Sequence, residues 1–134
     1  MSIEKQTTSI LSKAIKRYAT LNDVSVKDSQ LMICTDNPDC TPSYKVLKHY
    51  KEVKSVTFNE ILDVRLDFLG REILATPFIR SSIKRLTQEA NCSYDEASVL
   101  IYPIDEVGEK IRLHFFVGTK PNKEISMEYI FGDM

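Results

Sequence analysis

The spacing of apolar and polar positions divides the chain into a helical first part and a strand-like last part. Ile3, Thr7, Ile10, Leu11, Ala14, Ile15 and Tyr18 recur at helical intervals over residues 3–20, with Lys5, Lys13, Lys16 and Arg17 elsewhere on the cylinder. This predicts an amphipathic helix that stops at Asn22-Asp23. The apolar run from Gln30 to Cys34 is too short for a helix and predicts a strand.

Four further helix starts are marked by side-chain chemistry, the last of them for a short helix. Thr41-Pro42 offers a capping hydroxyl and then a proline at the first helical position, where its missing N–H costs nothing. With Val46, Leu47, Tyr50 and Val53 as its stripe, this predicts a helix over 42–54. Thr57-Phe58-Asn59-Glu60 is a capping box, and Val56 with Ile61 supplies the accompanying hydrophobic staple. The helix it opens, to about Leu74, is apolar over most of its circumference apart from a strip of Asn59, Asp63 and Asp67, which predicts a central position. Thr76-Pro77 repeats the cap-and-proline signal and predicts a helix to Ala90, with Ile79, Ile83, Leu86 and Ala90 facing inward. Ser93-Tyr94-Asp95-Glu96 is a second capping box, for one or two turns.

Beyond residue 98 the period changes from 3.6 to 2. Residues 99–104 predict one strand, with Pro103 at its end. Ile111, Leu113, Phe115 and Val117 alternate with polar or aromatic positions in a second, and Ile125, Met127, Tyr129 and Phe131 do so in a third. The connections at 105–109 and 118–123 are hairpin-sized and contain turn formers. The expected fold is therefore a single α+β domain over 1–134. About four helices and one short early strand in residues 1–97 pack on a three-stranded antiparallel β-meander in 98–134. No internal repeat, low-complexity tract or domain boundary is visible in the sequence.

Composition adds exclusions. With 134 residues, 43% hydrophobic and 28% charged, the chain has the makeup of one folded domain. Four glycines leave no place for either of the common glycine-rich phosphate loops. No segment approaches the roughly 18 apolar residues of a membrane span, and the N-terminal stretch lacks a signal-peptide core. Three cysteines do not make a secreted disulfide framework, so a cytoplasmic protein is expected.

Charge changes the picture more. The net charge of −1 hides basic segments at 1–21, 41–56 and 77–90, offset by residues 92–109, which carry five acids and no base. A pI near 6.1 argues against a dedicated nucleic-acid binder.

Candidate chemistry is sparse. The stretch from Cys34 to Cys40, with Asp36, Asn37, Pro38 and Asp39 between, has neither the paired spacing of a zinc site nor the alternate acids of a calcium loop, nor the C-x-x-C of a redox pair. It reads as an Asn-Pro turn. His49 and His114 have no nucleophile in a recognisable setting, and Asp63 with Asp67 form a polar strip rather than an acid–base pair. No catalytic residue, cofactor or metal is expected.

Two binding readings remain. Basic helices offset by an acidic connection make a dipolar surface suited to a protein partner or to self-association, with Tyr44, Tyr50, Tyr94, Phe116 and Ile130 as interface candidates. The expected function is a small, intracellular, non-enzymatic interaction or structural assembly subunit. The alternative is a winged-helix-like nucleic-acid binder using Arg80, Ser81, Lys84 and Arg85 of the basic helix 77–90. The acidic 105–109 turn, at the place of a wing tip, opposes that alternative.

Overall fold

In the computed structural model, which describes residues 3–35, 41–57, 60–61, 70–126 and 129–130, two long helices lie on one antiparallel sheet. Helix α1 spans Ile3–Leu21 and helix α2 spans Gly70–Ala90. The strands are β1 (Ser29–Cys34), β2 (Ser43–Lys48), β3 (Lys51–Val56), β4 (Ala97–Pro103), β5 (Ile111–Val117) and β6 (Lys120–Ile125). They form a six-stranded sheet in the order β3-β2-β1-β4-β5-β6, with β1 against β4 at its centre.

The strand period decides what is buried. Leu31 and Ile33 of β1, Tyr44 and Val46 of β2, Val99 and Ile101 of β4, and Leu113 and Phe115 of β5 join one core cluster. Leu11, Ala14, Ile15 and Tyr18 of α1 and Ile79, Ile83 and Leu86 of α2 belong to the same cluster, so both helices cover the same face of the sheet. Met32, Leu47, Leu100, His114 and Phe116, one residue out of step, point to the opposite face.

This architecture corrects the expected one. The helix expected over 42–54 is the β2–β3 hairpin. Lys45, Lys48, Lys51 and Lys54 recur every third residue and imitate a solvated helix face. The inward positions are in fact Tyr44, Val46 and Val56, with β3 exposed up to its last residue. The capping box at Thr57 is present: Thr57 Oγ1 accepts from the Glu60 N–H at 3.1 Å, and Glu60 Oε1 accepts from the Thr57 N–H at 3.3 Å. The remainder of the helix expected from Phe58 lies largely outside the described residues, including Asp63 and Asp67. Thr76-Pro77 does not start a helix, because α2 already runs from Gly70 and holds Pro77 in its interior. Burial of Ile79, Ile83 and Leu86 secures the helix past the one backbone bond the proline forgoes. The meander is real, but its third strand is Lys120–Ile125 rather than 124–131, and it is one half of a larger sheet. Ser93 and Glu96 close their box over a single 3-10 turn.

The chain is also an internal repeat, which its letters conceal. Each half runs helix, short 3-10 turn, then three strands, and corresponding residues stand at a nearly constant separation. Asp23 and Asn91, two residues and one residue past their helices, both take positive φ, at 55° and 54°. Val24 N–H donates to Ala19 O at 3.0 Å, and Cys92 N–H donates to Thr87 O at 3.1 Å. The β2–β3 register shifts after Val46 and the β5–β6 register after Phe115, which leaves Val53 of β3 and Asn122 of β6 as the extra residues. Thr57 and Ser126 cap the segments that follow β3 and β6, which bury Ile61 and Ile130. Ile15-Lys16-Arg17 answers to Ile83-Lys84-Arg85, and Lys51 with Lys54 answers to Lys120 with Lys123. In the central pairing Leu31↔Ile101 is the image of Ile33↔Val99, while Met32↔Leu100 is its own image. An approximate twofold axis therefore passes through the Met32–Leu100 pair.

Candidate interaction surface

The strand order brings three connections together at one end of the sheet. Pairing of Ser29 with Lys48 places the β2–β3 turn beside the start of β1, and His49 N–H donates to Asp28 O at 2.8 Å. The β1–β4 register brings the end of β4, and with it the loop 104–110, to the other side of that start. This loop docks on α1: Ser12 Oγ donates to Gly108 O, and a Cβ at Gly108 would stand 2.5 Å from Val26 Cγ1. Only glycine fits, since φ there is also +75°. Lys27 Nζ and Glu106 Oε1 approach to 4.0 Å across the same seam.

Among the described residues, five of the six exposed large apolar side chains belong to elements that reach this end, the sixth being Phe78 on α2. Leu21, the last residue of α1, is 66% exposed, Tyr50 at the hairpin tip 59%, Val107 57%, and Val53 and Ile104 over 40%. The second half has polar residues at the equivalent places. Leu21 answers to Glu89, Tyr50 to Thr119 and Val53 to Asn122. Ile104 and Val107 answer to the connection from Thr35 to Pro42, which holds no large aliphatic residue. At the places of Leu21, Tyr50 and Val53 the same framework thus carries polar side chains, so the apolar ones there are not demanded by the fold.

The hairpin tip carries a second peculiarity. His49 and Tyr50 both adopt positive φ, at 52° and 64°, the pattern of a two-residue turn that favours Asn-Gly. In the second half Gly118 takes the first of these places. His49 Nδ1 lies 3.4 Å from Asp28 Oδ1, and Gln30 Oε1 accepts from the Tyr50 N–H at 2.9 Å, so the strained tip is held by its neighbours.

The residues singled out from sequence fall in several places. Tyr50 lies on the surface just described. Phe116 is half-buried on the sheet face away from the helices, edge-to-face with His114 at 5.6 Å. Tyr94 is half-buried against the core from the 3-10 turn before β4. Tyr44 and Ile130 are core residues, 5% and 0% exposed, and present nothing to a partner in this fold. Arg80, Ser81, Lys84 and Arg85 follow one another along α2. Arg80 and Lys84 are half-buried and Ser81 and Arg85 exposed, and the Arg85 guanidinium lies 5.5 Å from the Tyr129 ring centre. Arg17, its counterpart, donates to Glu60 O at 2.7 Å. In both halves the arginine ties the segment after the edge strand back to its helix. Leu21, Val53, Ile104 and Val107 were not foreseen as surface residues, because singly each reads as an ordinary core position.

Reactive groups are few. Cys34 is buried, and Cys92 is half-buried beside a shallow depression lined by Gln88, Asn91 and Tyr94. Burial, then the Glu96 carboxylate, pushes the Cys92 thiol above its ordinary range. Cys40 lies outside the described residues. Among the described residues, no three His, Cys, Asp or Glu side chains gather as metal ligands, and no helix is long and apolar enough to cross a membrane. Compared with protein-family models, curated proteins and solved structures, the chain matches none of them.

Proposed function

We propose that this protein is a small, intracellular, non-enzymatic interaction module, an assembly or structural subunit that works by binding another protein surface. One observation carries the reading: exposed Leu21, Tyr50, Val53, Ile104 and Val107 belong to elements that reach one end, and the first three have polar counterparts in the other half. A concentration of exposed apolar side chains at one end of a molecule is a usual mark of a contact surface. Replacing Val107 with glutamate should abolish partner recovery in a pull-down, or self-association by light scattering, while leaving circular dichroism unchanged. Equal recovery by both proteins would remove the support.

The rival reading, nucleic-acid binding through Arg80, Ser81, Lys84 and Arg85, draws on the repetition of Lys-Arg in both helices of one layer. The structural employment of Arg17 and Arg85 explains that repetition without a ligand. A mobility-shift assay with mixed DNA and RNA at low salt decides it. Binding weakened by Lys84→Glu would support this reading, and no shift would dispose of it.

A further inference from the structure

We infer that the partner at this end is a second copy of the chain, joined head to head about a twofold axis. This rests on the interaction reading above and names its partner. A twofold contact uses the same patch on both molecules, so each charge must find its opposite on the other side of the patch centre. The surface has that arrangement. On one side of β1 the β2–β3 hairpin carries Lys48 and Lys51 flanking its tip, while further along Lys45 pairs with Glu52 at 3.2 Å and Lys54 lies 5.2 Å from the Tyr18 ring centre. On the other side the loop 104–110 carries Asp105, Glu106 and Glu109 against Lys110. Between them lies the 3-10 turn Val26–Asp28 that leads into β1.

Rotation by half a turn about this midpoint lays the acidic loop of one copy over the basic hairpin of the other, twice. The exposed apolar residues are distributed likewise. Tyr50 and Val53 belong to the hairpin side, and Ile104 and Val107 to the loop side. Glu106 is free to take part, since its side chain is 88% exposed and its contact with Lys27 is a loose 4.0 Å. The opposite end of the molecule offers a poorer mate. Its counterparts of Leu21, Tyr50 and Val53 are polar, and Glu89 there is engaged by Lys123 at 2.9 Å. The strained tip fits the same picture, because Asn-Gly would relax the turn but remove the aromatic ring from the contact.

The test uses charge reversal on the full chain, read by sedimentation velocity over a concentration series. The unaltered protein should sediment as a dimer. Lys51→Glu and Glu106→Lys should each weaken dimerisation about tenfold or more, since each creates two like-charge contacts. An equimolar mixture of the two variants should form dimers that neither forms alone, because the mixed pair restores both contacts. Native circular dichroism of each variant alone separates this from misfolding. A protein that is monomeric at its highest soluble concentration, or a mixture no more associated than its components, overturns the inference. If a monomer still captures a different protein and Val107→Glu abolishes that capture, the self-association falls and the interaction reading stands. If it captures nothing, both fall.

Discussion

Gly108 and Gly118 both take positive φ, yet their surroundings differ. Nothing lies within 4 Å of a Cβ built at Gly118, so Gly118→Ala should cost only the left-handed conformation, about 1–2 kcal/mol in urea unfolding. Gly108→Ala adds the overlap with Val26 and should cost about 3 kcal/mol or more, part of it recovered by Val26→Ala in the same chain. Cys92 should react with iodoacetamide more slowly at neutral pH than a free thiol, since its raised pKa leaves less thiolate. Glu89 behaves oppositely. The hydrogen bond and then the charge of Lys123 hold its carboxyl below the usual range. Stability from this pair is therefore present above the ordinary carboxylate pKa and is lost as pH falls through the lowered value. An NMR titration of Lys123→Ala should return Glu89 to the ordinary carboxylate range.

At the level of elements, what could be read in the sequence follows from how strongly one face is buried. The N-terminal helix is legible because Leu11, Ala14, Ile15 and Tyr18 mark a single stripe, and β5 because Leu113 and Phe115 alternate cleanly with exposed or half-exposed neighbours. The β2–β3 hairpin is not, for an edge strand buries almost nothing and its lysines carry no period of two. His49-Tyr50 also hides a turn that sequence marks only when it holds Asn or Gly. The double substitution His49→Asn with Tyr50→Gly should raise the unfolding free energy by about 1 kcal/mol. The candidate surface was illegible for a different reason. Leu21 or Val53 becomes informative only beside the residue that holds the equivalent place in the other half. Within the helices, Ile15→Ala and Ile83→Ala should destabilise by similar amounts, about 2–5 kcal/mol each, because both are fully buried at matching positions.

On the scale of the whole molecule, the repeat makes the two ends direct controls for one another. Their common backbone can be subtracted, and what is left is the difference in surface character. Charge reversal at the second end, as in Lys120→Glu, should leave the association state unchanged where Lys51→Glu disrupts it, a comparison that sedimentation can make in parallel. The sequence shows the parts of this symmetry, Ile-Lys-Arg and the paired lysines, but a one-residue difference in length between the β1–β2 and β4–β5 connections breaks the register, and few letters coincide.

The Met32–Leu100 axis has a kinetic meaning as well. The β2–β3 and β5–β6 hairpins close through tight turns, whereas β1 and β4 can pair only after a long stretch of chain has been brought round. Loop closure must be paid before contacts of such long reach reward it, and this slows the folding reaction. Leu100→Ala should therefore act mainly by slowing folding, lowering the folding arm of a stopped-flow chevron more than it raises the unfolding arm.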